Sequence, residues 1–367
     1  MGTVVNRADM NGDPRWEQLA ALLVGWSTGV RPGDRVLITM VEPETFPLVR
    51  AVHAAVVRAG GLAHVEFQSG RLEGELLRLG SDEQAGWLPE LQRVGMEWAD
   101  VSIALRGAGS LHELADVPAG RIAARRRALG LVSALRTERT RWVIVRLPSE
   151  SLAQQAGMTP DELVSVFFAA ALRDWESEAR QYRRVASLFA GAREVRILGR
   201  GTDLRLSIEG RTWMIDDGHL NMPGGEIATS PVETSAEGEI AFEYPALYAG
   251  RSIPGIRLRF AEGRVVEACA DAHQDLLEEL LDMDDGARRV GELGFGLNPA
   301  IERPCGDLFY DEKIAGTVHI ALGRSYAECG GQNRSALHWD IVKDLRREGT
   351  VTADGRTVLE RGRFADE

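Results

Sequence analysis

Cysteine is scarce in this chain. Cys269, Cys305 and Cys329 are the only three in 367 residues, and no two stand in CxxC spacing. An odd number without that spacing excludes a disulfide framework and a zinc knuckle, and leaves buried or semi-exposed thiols in a reducing compartment. Long apolar runs are lacking too: no stretch approaches the roughly 20 residues that a bilayer span needs. The N-terminal stretch carries Asp9, Asp13 and Glu17 and no long apolar core, so no secretion signal is expected there. Positive charge is in deficit, with 43 basic against 55 acidic side chains and a formal net charge of -12. A surface of that sign repels phosphate backbones. These absences point to a cytoplasmic protein whose partners are neither nucleic acid nor membrane. Nucleotide signatures are missing as well, since the scattered glycines of "GRGTD" complete neither GxGxxG nor GxxxxGK[ST]. There is no internal repeat and no low-complexity segment.

What is present is a hydrophobic fraction of 44%, enough for a sizeable core and, at this length, for two domains. The first half alternates helix and strand. Apolar residues recur at helical spacing over residues 16–28 and 47–59, while 35–40 is a short apolar run of buried-strand type and 62–67, 99–105 and 142–147 are further strands. That order predicts an α/β fold with an open parallel sheet and helices on its faces. "GMTPDEL" opens a helix, with Thr159 as N-cap, Pro160 at the first helical position and Glu162 completing a capping box. The helical pattern runs on to about Leu188. From Glu194 the texture changes to polar–apolar alternation over 194–198 and 203–208, as in half-buried antiparallel strands. "EGR" turns the chain and 212–215 returns; further strands are expected at 238–244, 256–260, 264–269 and 317–321, with a helix over 273–281. The reading is an N-terminal parallel α/β domain over 1–190 and a C-terminal mixed or antiparallel α/β domain over 191–367.

Among seven histidines, two keep company that suggests chemistry. His338-Trp339-Asp340 sets an imidazole and a carboxylate two residues apart, and in an extended segment both point the same way. His319 lies in the apolar run 317–321, where a histidine is more often a hydrogen-bonded core residue. Glu226 follows two glycines in "NMPGGEIATSP", which let the backbone come close to whatever Glu226 holds, although an exposed turn carboxylate would look the same. Glu292 sits among Gly, Leu and Phe in "GELGFGLNP", and a carboxylate buried there must be paired, hydrogen-bonded or metal-bound. Tyr326 lies in the loop joining the two histidine segments. Three carboxylates and two histidines within one domain are the ligand inventory of a paired hydrolytic metal site, with two ions roughly 3.5–4 Å apart sharing a water. Oxygen-rich ligation with a few imidazoles suits Zn, Co or Mn.

The segments "GTDL" (201–204), "NMPGGEIATSPVE" (221–233), "GELGFGLNP" (291–299), "DEKIAGTVHIALGRSY" (311–326) and "SALHWDIVKDLR" (335–346) resemble, in this order, those of the M29 metallo-aminopeptidases, the aminopeptidase T/S family. "VRPGDRVLI" and "AGMTPDEL" extend the resemblance over nearly the whole chain. It implies two α/β domains, a homodimer, a dinuclear metal centre in the C-terminal domain and removal of N-terminal residues from peptides. The implied metal ligands are Glu226, Glu292, His319, His338 and Asp340, with Tyr326 beside the metals. On that basis Glu292 is the favoured general base, its apolar neighbours raising its pKa, with Glu226 the other candidate. Tyr326 would donate to the oxyanion, and Arg324, by position alone, would hold a peptide carboxylate. A mononuclear Fe(II) ring-cleaving dioxygenase on the same fold would need only His319, His338 and Asp340 and would have no use for the two glutamates. A non-enzymatic metal-binding scaffold would have no need of the complete set.

Overall fold

The computed structural model describes residues 12–248 and 250–365. The chain divides into two compact units, one formed by Met1–Arg173 with Gly218–Gly224, the other by Asp174–Asp217 with Gly225–Glu367.

The first unit is built on a sheet of β1 (Arg35–Val41), β2 (Leu62–Gln68), β3 (Val101–Arg106) and β4 (Arg141–Arg146), in the order β2-β1-β3-β4, all parallel, with the short strand Asn221–Met222 added beside β4. The apolar runs chosen from sequence are these strands: Val36, Ile38, Val101, Ile103, Leu105, Val143 and Val145 are completely buried. Helices connect them, as parallel pairing requires. The helix Pro160–Ala171 begins as expected. The Thr159 hydroxyl accepts from Glu162 N–H, and the Glu162 carboxylate accepts from Thr159 N–H.

One expectation needs correction here. The helical pattern does not continue unbroken to Leu188. It stops after Ala171 and restarts at Trp175–Ser187, with the Asp174 carboxylate capping the new helix through Ser177 N–H. An aspartate inside a helical pattern competes for backbone donors, and here it wins.

The second unit holds two large antiparallel sheets and a two-stranded antiparallel ribbon, Ala246–Tyr248 with Arg251–Ile253. The larger has eight strands, among them Glu194–Gly199, Thr202–Ser207, Glu237–Ala241, Arg257–Ala261 and Arg264–Cys269. The smaller carries the candidate site. Its strands are β5 (Met214–Asp216), β6 (Glu226–Thr229), β7 (Val290–Gly296), β8 (Thr317–Gly323) and β9 (His338–Asp344), in the order β9-β8-β7-β6-β5. The return strand expected at 212–215 therefore does not pair back on 203–208. It forms at Met214–Asp216 and pairs with β6. Its apolar side chains are used by the second sheet, which alternation alone does not distinguish. Among the described residues no helix is long and apolar enough to cross a membrane.

Candidate metal centre

Register decides which side chains of the small sheet meet. Across β7, β8 and β9, Glu292 stands opposite Ala321 and Ala321 opposite Asp340; Gly294 stands opposite His319; Gly323 stands opposite His338. On the other side Gly296 pairs with Glu226, which pairs with Asp216. Partners in an antiparallel ladder share a face, and so do residues two apart. Asp216, Glu226, Glu292, His319, His338 and Asp340 thus project from one face. The two-residue spacing of His338 and Asp340 works as the sequence suggested. The opposite face is core: Leu293, Phe295, Val318, Ile320 and Ile341 are completely buried, and Phe295 stacks on Phe189 at 5.4 Å.

The places between these side chains are taken by Gly294, Gly296, Ala321 and Gly323, which make room for the long ones. A Cβ on Gly294 would collide with Nε2 of His319. Gly294→Ala should therefore displace the imidazole, lowering metal affinity at least tenfold, while Ala321→Gly leaves it intact. Calorimetric metal titration of both variants checks this. Gly225 serves differently from expectation. Its φ of +124° and a Cβ position 2.6 Å from Cβ of Asn298 show that it brings the chain before Glu226 against the Asn298 loop.

The five expected ligands converge. Glu292 lies between the histidines, Oε1 at 3.4 Å from His319 Nε2 and Oε2 at 3.3 Å from His338 Nε2. Glu226 Oε2 is 3.5 Å from His319 Nε2, and Asp340 Oδ2 is 3.6 Å from His338 Nε2. Among the described residues, Glu292, His338 and Asp340 offer ligand atoms all within 4.8 Å of one another. His338 Nδ1 donates to the carbonyl of Arg324 at 2.8 Å; a carbonyl only accepts, so Nδ1 holds the proton and Nε2 is left for a ligand. The Tyr326 hydroxyl is 3.2 Å from the same Nε2, and Tyr326 N–H is anchored on Ser230 Oγ. Arg324 reaches the site through its carbonyl, and its side chain is exposed.

Burial and the crowding of carboxylates set the electrostatics. Burial raises the carboxyls of Glu226 and Asp340 above their ordinary range. Burial opposes the charging of both histidines, but the carboxylates outweigh it and lift His319 to about 9 and His338 to about 10. Glu292 departs from the expectation that apolar neighbours raise its pKa. Burial does push it up, but hydrogen bonds and charge from His319 and His338 hold it below the usual carboxylate range. Tyr326 is pushed well above its ordinary value by burial and then by the carboxylates, so its hydroxyl stays protonated as a donor.

The residues fit a cation. Glu226 Oε2, His319 Nε2 and Asp340 Oδ1 are buried without a hydrogen-bond partner, an arrangement that costs about 1–3 kcal/mol per group unless a ligand satisfies it. Sequence reasoning missed Lys313, Glu312 and Asp216. Lys313 Nζ lies 2.9 Å from Glu226 Oε1, 2.6 Å from Glu312 Oε1 and 3.3 Å from Asp216 Oδ2. A lysine four residues before the strand that carries His319 is the local mark, and by itself it reads as a solvated charge.

A buried face of carboxylates and imidazoles with unsatisfied ligand atoms defines a metal-dependent enzyme. The chain belongs to the thermophilic metalloprotease family M29, whose profile matches residues 13–364. It is 29% identical to aminopeptidase T of Thermus thermophilus, over 95% of this chain and 98% of that protein. It is 25% identical to aminopeptidase 2 of Geobacillus stearothermophilus, over 96% and 99%. The solved structure of wild-type AmpT from Thermus thermophilus superposes with a TM-score of 0.84 at 26% identity, covering 96% of this chain and 99% of that one. A 2,5-dihydroxypyridine dioxygenase from Pseudomonas putida KT2440 shares the fold, with a TM-score of 0.64 at 16% identity over 99% and 98% of the two chains.

Proposed function

We propose that the protein is an aminopeptidase that removes N-terminal residues from peptides, using two divalent cations, Zn, Co or Mn, held by Glu226, Glu292, His319, His338 and Asp340. The observation that carries the two-ion reading is charge. Asp216, Glu226, Glu292, Glu312 and Asp340 are joined through contacts of 2.6–3.6 Å by Lys313, His319 and His338. With both imidazoles neutral, as ligation requires, five carboxylates against one ammonium leave four negative charges, which two divalent ions neutralise. A buried excess of that size is otherwise very costly. One ferrous ion in a dioxygenase would leave half of it uncompensated.

Glu226, Glu292 and His319 would hold one ion, and Glu292, His338 and Asp340 the other. Bound there, the ions would acidify a shared water and polarise the scissile carbonyl. Glu292 accepts the proton of the attacking water and passes it to the leaving amine. Tyr326 donates to the oxygen that becomes negative, and Arg324 meets a carboxylate of a short peptide. The three free cysteines suit a cytoplasmic setting, and a homodimer is the expected assembly.

Elemental analysis of protein purified without added metal, and again after incubation with Zn, Co, Mn or Fe(II), tests the proposal. Two ions per chain, with cleavage of an amino-acid anilide that tracks occupancy, is the expected result. A single iron with oxygen uptake and no peptide cleavage would replace it with the dioxygenase reading.

A further inference from the structure

Of 43 basic side chains only two are lysines, Lys313 and Lys343, and both are completely buried. Arginine fills every other basic position. Its guanidinium is broad and planar, whereas an ammonium is a compact charge with three donors that can diverge. Lysine is thus found only where a small enclosed cation is needed. The two lysines differ in what they hold. Lys343 Nζ donates to the carbonyls of Arg200 (3.2 Å) and Ala241 (2.9 Å) and to Glu243 Oε1 (2.8 Å), which makes it a brace of the fold. Lys313 meets three carboxylates, and one of them is the candidate ligand Glu226.

The two oxygens of Glu226 are treated differently. Oε1 accepts from Lys313 Nζ at 2.9 Å. Oε2 has no hydrogen-bond partner and faces His319 Nε2 at 3.5 Å. The approach of the lysine is built into the sheet. Gly296 pairs with Glu226, and a Cβ there would collide with the carbonyl of Ile314, the residue after Lys313. Glycine at 296 lets that turn lie close against the strand. Lys313 Nζ pairs directly with Glu226, Glu312 and Asp216, all within 3.3 Å, and so lies on the Glu226 side of the cluster.

We propose that Lys313 is a positioning residue that makes Glu226 a one-oxygen ligand: its ammonium occupies Oε1, so that Oε2 alone is presented to the ion shared with Glu292 and His319. This rests on the two-ion reading above. It makes the two ion positions unequal, because only one has a fixed positive charge bonded to its ligand. Released from Lys313, Glu226 can rotate or offer both oxygens, and the ion on its side loses its defined place.

Lys313→Met alone strips the counter-charge from three buried carboxylates. The decisive variant is therefore the double substitution Lys313→Met with Glu312→Gln, which removes one positive and one negative charge and leaves the buried net charge unchanged. Metal-free wild type, the double variant and Glu312→Gln alone are titrated with Co(II), followed by calorimetry and visible absorption, with circular dichroism reporting the fold. The expected result is two ions in wild type and in Glu312→Gln. The double variant should bind one ion at wild-type affinity and the second at least tenfold more weakly, the scale on which outer-shell partners act. Two ions at wild-type affinity in the double variant, or equal weakening of both, would overturn the proposal. Loss of native circular dichroism would overturn it too, by making Lys313 a fold brace like Lys343. A wild type that binds one ion would sink the two-ion reading instead, and Lys313 would then stand or fall on whether that ion weakens in the double variant.

Discussion

Glu292→Gln should leave a folded protein whose kcat for an amino-acid anilide falls by about three orders of magnitude, with one ion retained. Glutamine has nearly the shape of glutamate, so β7 and its pairing with β8 are undisturbed. The difference lies at the two terminal atoms. Glu292 presents an oxygen to each histidine, at 3.4 and 3.3 Å, and is thereby placed to serve both ion positions. An amide can present an oxygen to only one side, and its NH₂ cannot ligate a cation. It also cannot take up a proton from water at neutral pH. Loss of a positioned general base costs about 10²–10⁴ in rate, and loss of a shared ligand adds to it. Steady-state kinetics with metal analysis on the same sample decides the matter. A kcat near wild type would remove Glu292 from proton transfer and pass the role to Glu226.

How much of this was legible in the sequence depends on how locally each feature is specified. The parallel strands of the first unit were visible because β1, β3 and β4 are apolar on both faces, and a run such as Arg35-Val-Leu-Ile-Thr-Met40 has few other uses. His338 and Asp340 were visible as a pair because the period of a strand is two. The strand around Glu292 was harder. "VGELGFG" has three glycines in seven residues, which depresses strand propensity, yet all seven residues are buried. Two of those glycines are required by the site: Gly294 makes room for the imidazole of His319, and Gly296 lets the Ile314 carbonyl approach Glu226. The site thus erased the local signal of the strand that carries it. Lys313 was illegible for a related reason, since a charged residue before a strand ordinarily reads as solvated. Its partners Glu226 and Asp216 lie 87 and 97 positions earlier in the chain. The pairing of Met214–Asp216 with β6 is likewise a tertiary choice that alternation does not encode.

Asp340→Ala should show the opposite sign of effect with and without metal. In the strand Asp340 pairs through its backbone with Ala321, and alanine keeps that ladder. The side chain is different. Its Oδ1 is buried without a hydrogen-bond partner, and burial, opposed by His338, followed by the charge of Glu292, pushes its carboxyl above the usual range. With no cation bound, this carboxylate is a burden on the fold. The metal-free variant should therefore melt at least as high as metal-free wild type. With cation present the order reverses. A ligand at one hundred times its Kd stabilises the folded state by about 2.7 kcal/mol, and wild type gains this from each ion it binds. The variant keeps only His338 and Glu292 at that position and should lose the ion there, with activity falling to background. His338→Ala should likewise lose that ion and the activity, since Nε2 is lost with the ring. The readout is a pair of melting curves for each protein, metal-free and with excess Zn or Co, beside anilide cleavage. A residue that merely holds the sheet together would lower both curves when removed, whereas a ligand lowers only the metal-loaded one. Asp340→Ala that keeps the full metal-dependent rise, or full activity, would take Asp340 out of the metal centre and leave its buried carboxylate without a function.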